Sequence, residues 1–455
     1  MSVSIHIPDK VARIMAKLSE RGFQAFLVGG SIRDALLNIP CEDHDLATNA
    51  KPEEIKKIFP RSRAVGQAFA VMLVDGLEVA TFRLDGAYSD NRHPDSITYA
   101  ETIEEDLARR DFTINAMAYD GKQLIDPYGG ETDLKDKTIR FVGNARDRIR
   151  EDALRALRAC RFAAKINGKL ENKTLEAIKN NRHLLKNISS ERKQQELSKM
   201  LLGERPELAL SLIEECGLLE YLLPAMTLSV GCLQPPHHCE DCWTHALETL
   251  KSAKKPDLAL RLACLLHDVA KPSCRSSAGK GKYTFYLHDQ KGENLVREIL
   301  TDLRYSNEII EKVAEYTKYH MRPLLYGCLM KDPALQRLMG ELKHISIRDL
   351  LRFMLCDVRG NLMNKGKGFA FTLEITRPVM RRLHRREKER RVLKLSDLVI
   401  SGDDLKKEFA LPASPLIGEI LRHLYETAIR KKPEWANREN LLKEAGNYLA
   451  KKEKE

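Results

Sequence analysis

What the 455-residue chain lacks narrows its class first. No apolar run approaches the roughly twenty residues that cross a bilayer, and the N-terminus carries no signal-peptide pattern. A membrane role is therefore not expected, and the cytoplasm is the expected location. Ten cysteines form no regular framework, which excludes a disulfide-stapled scaffold and fits a reducing compartment. No internal repeat or low-complexity segment is evident. The remainder is ordinary for a globular protein: 43% hydrophobic and 31% charged residues, with length for roughly three domains that each bury a core.

Acids are the scarcer charge. The net charge is +11 and the pI near 9.0, which favours a polyanionic partner. The excess is uneven: Arg377, Arg381, Arg382, Arg385, Arg386, Lys388, Arg390, Arg391 and Lys394 face only Glu387 and Glu389. So dense a like-charge cluster is costly unless something anionic lies against it, so a nucleic-acid contact is expected there.

The chain is organised around Phe26–Asp34 and Glu42–Thr48. Ala25 to Val28 reads as a buried strand, Gly29-Gly30 as a sharp turn, and Ser31 as the cap of a short helix carrying Arg33. A glycine turn opening onto a helix N-terminus can seat phosphates, because free N–H groups and the helix dipole both face the anion. Asp43 and Asp45 stand two apart, on one face if the segment is a strand. Two such carboxylates repel unless divalent cations lie between them, as a two-metal phosphoryl or nucleotidyl transfer requires. Together these pieces resemble the polymerase-beta-like nucleotidyltransferases, specifically the bacterial-type (class II) tRNA nucleotidyltransferase and poly(A) polymerase family.

The rest of the chain extends the resemblance. Pro52-Glu-Glu54 starts a helix, and Ala70–Val74 with Leu77–Phe82 reads as a hairpin about Asp75-Gly76. Glu78 is read as an exposed strand residue in preference to a third metal carboxylate. Arg83-x-Asp85-x-x-Tyr88-x-Asp90-x-Arg92-x-Pro94 reads as a mobile loop, and matches one carried by CCA-adding members. The paired Arg109-Arg110 before an apolar helix suits a triphosphate, a reading preferred over a surface ion pair with Glu104, Glu105 or Asp106, with Arg110 the better candidate of the two.

Glu151-Asp152-Ala-Leu-Arg155-Ala-Leu-Arg158-Ala-Cys-Arg161-Phe162 is strongly helical in composition. Asp152, Arg155, Arg158 and Arg161 should form one stripe, with Leu154, Leu157 and Phe162 on the opposite, buried side. A carboxylate accepts from the exocyclic amine of C or A, and arginine donates to a ring nitrogen or oxygen. Asp152 with Arg155 could thus choose C or A over G and U, the role the resemblance implies for this motif.

Residues 165 to 230 read as helical, and composition shifts at Gly231-Cys-Leu-Gln-Pro-Pro236. Beyond it His245, the adjacent His267-Asp268 closing an apolar helix, and Asp357 resemble the HD-type metal-dependent phosphohydrolases. Lys271 fits that pattern, and His288 with His320 could complete a second metal site. His237-His238-Cys239-x-x-Cys242 could bind zinc, but no second pair stands at finger spacing. The tail resembles the last segment of family members, with Pro412-Ala-Ser-Pro415 lacking their glycine.

The expected fold is α+β: a nucleotidyltransferase head over 1–140, a helical neck and body over 141–230, an HD domain over 231–365 and a basic helical tail over 366–455. The resemblance implies attack of a tRNA 3′-hydroxyl on CTP or ATP, adding CCA or its terminal A. Asp43 and Asp45 would hold Mg²⁺, Gly30, Arg33 and Arg110 the triphosphate, and the stripe Asp152, Arg155, Arg158 and Arg161 the nucleotide. A divalent transition metal would sit in the HD domain. Competing readings are a poly(A) polymerase, against which Gly66-Gln67-Ala68-Phe69 lacks a basic pair, an A-adding enzyme, and an HD phosphohydrolase whose head only binds RNA.

Overall fold

The run Ala25–Val28 forms strand β1 and is buried at all four positions, because both of its faces are covered. Ala25 and Leu27 pack with Val11, Ile14, Leu18 and Leu46, whereas Phe26 and Val28 pack with Ala47, Phe82, Ile103 and Leu107. The protein is known from a computed structural model, which describes residues 5–41, 44–65, 70–86, 96–235, 238–277, 279, 283–322, 332–364, 377, 380–382, 384–385, 395–431 and 433–452. It divides into two compact units, Met1–Thr227 and Leu228–Glu455.

In the first unit the strands are β2 (Asp45–Thr48), β3 (Arg63–Val65), β4 (Val71–Val74), β5 (Leu77–Thr81), β6 (Arg83–Asp85), β7 (Ile97–Tyr99), β8 (Ala118–Tyr119) and β9 (Leu124–Ile125). Seven make one mixed sheet in the order β3-β4-β5-β2-β1-β8-β9. Strand β1 runs antiparallel to β2 with Val28 opposite Asp45, so the Gly-Gly turn and Asp45 share one end of the sheet. The hairpin β4–β5 turns on Asp75 and Gly76 with φ of 50° and 83°, the left-handed pair that an Asp-Gly two-residue turn requires. Glu78 lies exposed on β5, as read from the sequence.

The α-helices of this unit are α1 (Asp9–Ser19), α2 (Gly30–Leu36), α3 (Pro52–Ile58), α4 (Ile103–Ala108), α5 (Gly130–Lys135), α6 (Ala145–Glu151), α7 (Leu154–Lys165), α8 (Asn172–Asn181), α9 (Ser190–Leu202), α10 (Pro206–Glu215) and α11 (Leu219–Leu222). Helix α3 starts as its Pro52-Glu-Glu54 predicts, with Glu54 accepting from the Lys51 N–H at 2.7 Å.

Four readings need correction. Ser31 does not cap α2. Gly29 occupies that position with φ of 72°, and Ser31 Oγ donates to the Val28 carbonyl at 3.0 Å. The helical motif from Glu151 to Phe162 is two helices, because Asp152 is extended and its Oδ1 accepts the Leu154 N–H at 3.0 Å. That local side-chain bond competes with the helix and restarts it. Arg83–Asp85 pairs with Ile97–Tyr99 as a two-stranded ribbon, while Tyr88, Asp90, Arg92 and Pro94 lie outside the described residues. The helical stretch after 165 also contains a short strand, Lys169–Leu170, parallel to Thr138–Ile139.

The second unit is mostly helical, but the HD region is not all-helical as expected, because Arg275–Ser277 pairs antiparallel with Tyr283–Phe285. Helices Cys242–Ser252, Leu258–Leu266, His288–Asp302, Asn307–Tyr319 and Ile347–Gly360 form its first part. Helix Ile347–Gly360 lies very close to Cys242–Ser252 where a Cβ on Gly360 would overlap Thr249, so only glycine permits the approach. A separate apolar cluster of Leu405, Ile420, Leu424 and Leu441 holds the C-terminal helices together. Of the basic segment, Arg377, Arg381, Arg382 and Arg385 are described; the other cations lie outside the described residues. Among the described residues no helix is long and apolar enough to cross a membrane.

Candidate functional site

A cleft of about 620 Å³ in the first unit is lined by Gly29, Gly30, Arg33, Asp45, Arg109, Arg110, Asp111, Asn115, Asp152, Leu154, Arg155, Arg158, Arg161, Phe162 and Arg192. It therefore gathers the Gly-Gly turn, the start of β2 and the first turns of α7. Arg33 is 5% exposed and has little freedom. Its Nη1 donates to Asn115 Oδ1 at 2.6 Å and its Nε to Asp34 Oδ1 at 2.8 Å. Asp34 also holds Lys165 of α7 at 2.8 Å, so the helix after the Gly-Gly turn is tied to the arginine-bearing one. Gly29 is needed for its positive φ and because a Cβ there would stand 2.9 Å from Arg110 Nη1.

Arg109 and Arg110 both reach the buried Asp106, at 2.8 and 3.1 Å. Burial pushes the Asp106 carboxyl up, but the two guanidinium charges outweigh it and hold it below the usual carboxylate range. The ion pair weighed against the phosphate role is thus present, and it fixes both arginines on the cleft wall. Asp111 accepts from Arg158 and from Asn115 Nδ2 at 3.0 Å, which links α7 through Asn115 to Arg33.

The predicted stripe is brought together, with different partners from those expected. Asp152 Oδ2 lies 2.7 Å from Arg192 Nη2 of α9, and Arg155 pairs with Glu151 and donates to the Arg148 carbonyl. Arg161 pairs with the buried Glu196. Leu154 and Phe162 are not on the side opposite the charges. Both line the cleft, and the Phe162 ring lies beneath Arg33, Arg158 and Arg161, whose Cζ atoms are 4.9, 5.3 and 4.2 Å from its centroid. Cation–π attraction makes the ring a floor for the arginines. Asp45 opens β2 on the cleft wall and is a hard oxygen donor suited to a divalent cation; Asp43 lies outside the described residues.

The second unit holds a cavity of about 600 Å³, into which the HD residues converge. His245 Nε2 is 2.9 Å from Asp357 Oδ1, and His267 Nε2 is 3.7 Å from the same oxygen. Asp268 lies between two groups, with Oδ2 at 3.1 Å from His267 Nε2 and Oδ1 at 3.4 and 3.6 Å from the Nε2 atoms of His288 and His320. The described residues thus offer two buried candidate metal sets, His245–His267–Asp357 and Asp268–His288–His320. A third, His238–Glu240–His245, adjoins them.

The Nδ1 atoms of His267, His288 and His320 face the carbonyls of Cys264, Phe285 and Thr317 at 3.2, 2.7 and 2.6 Å. A proton held there leaves each Nε2 lone pair for a ligand. His267 Nε2 is buried and makes no hydrogen bond, an orphan that a cation would satisfy. Burial pushes His320 down to about 4, so it is a neutral donor. Lys271 stands 2.6 Å from Asp268 Oδ2 and donates to Gln234 at 2.7 Å. No cysteine among the described residues joins a metal set. Cys242 packs in an apolar cluster with Cys232 and Phe285, and His237 lies outside the described residues.

Sequence reasoning missed Arg192, Asn115 and Glu240. Arg192 left one signal, a cation in the first turn of a helix, where the dipole disfavours it.

A mixed sheet with a Gly-Gly turn beside a strand-opening carboxylate, followed by helices and a buried His/Asp cluster, is the arrangement expected of a nucleotidyltransferase-type head followed by an HD-type domain. Three family descriptions match in the same order: the poly A polymerase head domain over residues 25–140, a probable RNA and SrmB-binding site of polymerase A over 169–228, and the HD domain over 237–352. Each description covers part of the chain, which is similar over those segments to a poly A polymerase head, its RNA-binding segment and an HD domain. It is 45% identical over 224 residues to a CCA-adding enzyme of Ligilactobacillus salivarius, covering 48% of this chain and 55% of that one. It is 48% identical over 199 residues to a CCA-adding enzyme of Enterococcus faecalis, covering 43% and 49%. The match thus spans about half the length of these curated relatives.

Among solved structures, the Bacillus stearothermophilus CCA-adding enzyme in complex with CTP superposes with a TM-score of 0.71 at 25% identity, covering 99% of this chain and 100% of that one. The Thermotoga maritima CCA-adding enzyme complexed with tRNA shares the fold at TM-score 0.59 and 19% identity, covering 97% and 96%. The HD match stops before Asp357, yet that carboxylate closes the metal set with His245 and His267.

Proposed function

We propose that the chain adds CCA, or its terminal A, to the 3′ end of tRNA from CTP and ATP, in the cytoplasm. The observation that carries this reading is one cleft with the phosphate-binding turn and Asp45 on one wall and Asp152 with Arg155 on another. The RNA 3′-hydroxyl attacks the α-phosphate and pyrophosphate leaves. Asp43 and Asp45 are the residues that would hold two Mg²⁺ ions, which when bound activate the hydroxyl and neutralise charge on the leaving group. The Gly30 backbone, Arg33 and Arg110 hold the triphosphate. Asp152 accepts from the amine of C or A while Arg155 donates to the ring edge, and Arg158 and Arg161 line the nucleotide's side of the cleft.

The CCA-adding relatives at about half their length and the CTP-bound neighbour at 25% identity support this assignment. Incubating tRNA that lacks its 3′ end with labelled CTP or ATP and Mg²⁺ tests it, the product being sized on a denaturing gel. Growth by a long A tract would favour a poly(A) polymerase instead.

A second activity is favoured by the paired metal sets of the HD centre. His245, His267, Asp268 and Asp357, with His288 and His320, would hold divalent transition-metal ions that polarise a phosphoester, with Lys271 as an added cation for the phosphate. Hydrolysis of a phosphoester in the presence of Mn²⁺, Ni²⁺ or Co²⁺, lost in His267→Ala, tests this second reading.

A further inference from the structure

We propose, on the reading of the HD centre as a metal site, that Glu240 positions His245 as its strongest ligand, so that the set His245–His267–Asp357 takes up a divalent cation ahead of the set Asp268–His288–His320.

The four imidazoles are not backed alike. The Nδ1 atoms of His267, His288 and His320 each face a main-chain carbonyl three residues earlier in the chain. His245 differs. Its Nδ1 is buried without a hydrogen bond, and Glu240 Oε1 stands 3.4 Å from it. Its Nε2 is 2.9 Å from Asp357 Oδ1. When His245 gives its Nε2 lone pair to a cation, the neutral ring carries its proton on Nδ1, facing that carboxylate. A charged acceptor there is stronger than a carbonyl, and it raises the basicity of the ligating nitrogen.

Glu240 is itself fixed. Its side chain is 1% exposed, so water does not compete for it. Oε1 also lies 2.8 Å from His238 Nδ1, and Oε2 accepts the Cys239 N–H at 3.1 Å and the Leu362 N–H at 3.3 Å. Leu362 follows helix Ile347–Gly360, which carries Asp357, and Glu240 precedes helix Cys242–Ser252, which carries His245. One side chain therefore ties together the segments that supply two ligands of the first set. Among the described residues Glu240 makes no hydrogen bond or ion pair to Asp268, His288 or His320. A carboxylate that only joined segments would stabilise the fold without favouring one set, and this difference is measurable.

Cobalt binding to the full chain is followed by visible absorption and calorimetry. Excess Mg²⁺ is present, so that the all-oxygen carboxylates of the head hold magnesium and the imidazole sets take cobalt. Wild type should bind Co²⁺ in two separate steps, and His320→Ala should remove only the second. Glu240→Gln keeps the shape and one acceptor oxygen but loses the charge. It should weaken the first step by about 10–100-fold and leave the second within about threefold. Glu240→Asp should lose less, since it keeps the charge. A first step within about twofold of wild type in Glu240→Gln, equal weakening of both steps, or no cobalt uptake by wild type overturns the proposal. Cobalt uptake without hydrolysis of any phosphoester removes the enzymatic reading, and the two affinities still decide the part of Glu240. If Glu240→Gln does not fold, zinc-loaded wild type decides: its histidine NMR spectrum should show a proton on His245 Nδ1, shifted downfield by the carboxylate. A spectrum without that proton overturns the proposal.

Discussion

Arg158 Nη2 lies 2.6 Å from Asp111 Oδ2, and this pair joins the α7 helix to the segment that supports Arg33. Burial pushes the Asp111 carboxyl up, but the Arg158 charge and the hydrogen bonds from Asn115 and Arg158 outweigh it and leave it below the usual range. A depressed pKa adds stability above the unfolded value, and that stability is lost as pH falls through the folded one. Asp111→Asn should therefore cost about 1–3 kcal/mol at pH 7, toward the low end because Arg158 is partly exposed. The gap in urea midpoints between the two proteins should stay constant above about pH 5 and close below about pH 4. A gap unchanged by acid would show that the pair contributes no charge effect.

Asp45→Ala, and equally Asp43→Ala, should abolish nucleotide addition and leave tRNA affinity nearly intact, because a metal carboxylate contacts no RNA. Filter binding and single-turnover incorporation separate the two effects. Incorporation within tenfold of wild type, about 1.4 kcal/mol, would falsify the two-metal assignment.

Arg33→Ala should weaken CTP, ATP and UTP alike, since in the proposed reading its guanidinium contacts the triphosphate and no base. Asp152→Ala should instead erode the preference for CTP over UTP by about 1–3 kcal/mol. Values of kcat/KM for three nucleotides on two variants are enough; equal losses for all three in Asp152→Ala would reduce that residue to a helix cap.

The HD centre should take up divalent metal whether or not a substrate is known. His267→Ala should lower bound metal per chain after dialysis against Mn²⁺ or Co²⁺, measured by elemental analysis. An unchanged metal content would leave the buried cluster with a purely structural role.

Gly29→Ala should reduce affinity for every triphosphate, because a Cβ forces Arg110 off the cleft wall and strains a positive φ. A stability cost of about 1 kcal/mol should accompany it. Wild-type affinity at lowered stability would separate the turn from the phosphate site.

The residues alone made legible those parts of the site whose neighbours in space are neighbours in the chain, whereas His245 and Asp357, 112 residues apart, were found through the family resemblance. Gly29, Gly30 and Arg33 share one turn and helix, and His267 abuts Asp268. The Asp75-Gly76 hairpin was readable for the same reason. Contacts that close over long separations left little trace: Asn115 meets Arg33 across 82 residues, and Arg192 meets Asp152 across 40. The helix through Asp152 was misread because its composition favours continuity, whereas one side-chain bond to the Leu154 N–H favours a restart. The place of Phe162 beneath three guanidiniums follows from tertiary packing that periodicity does not encode.

Seven arginines and three aspartates line the cleft among its described residues, which has a kinetic consequence. Such a field draws in any polyphosphate from beyond contact distance, whatever base it carries. Capture should therefore slow steeply as ionic strength rises, by the same factor for the right and the wrong nucleotide. Selection acts later, through bonds too short for dissolved ions to screen. Rising salt should cost the protein speed while leaving its error frequency almost untouched.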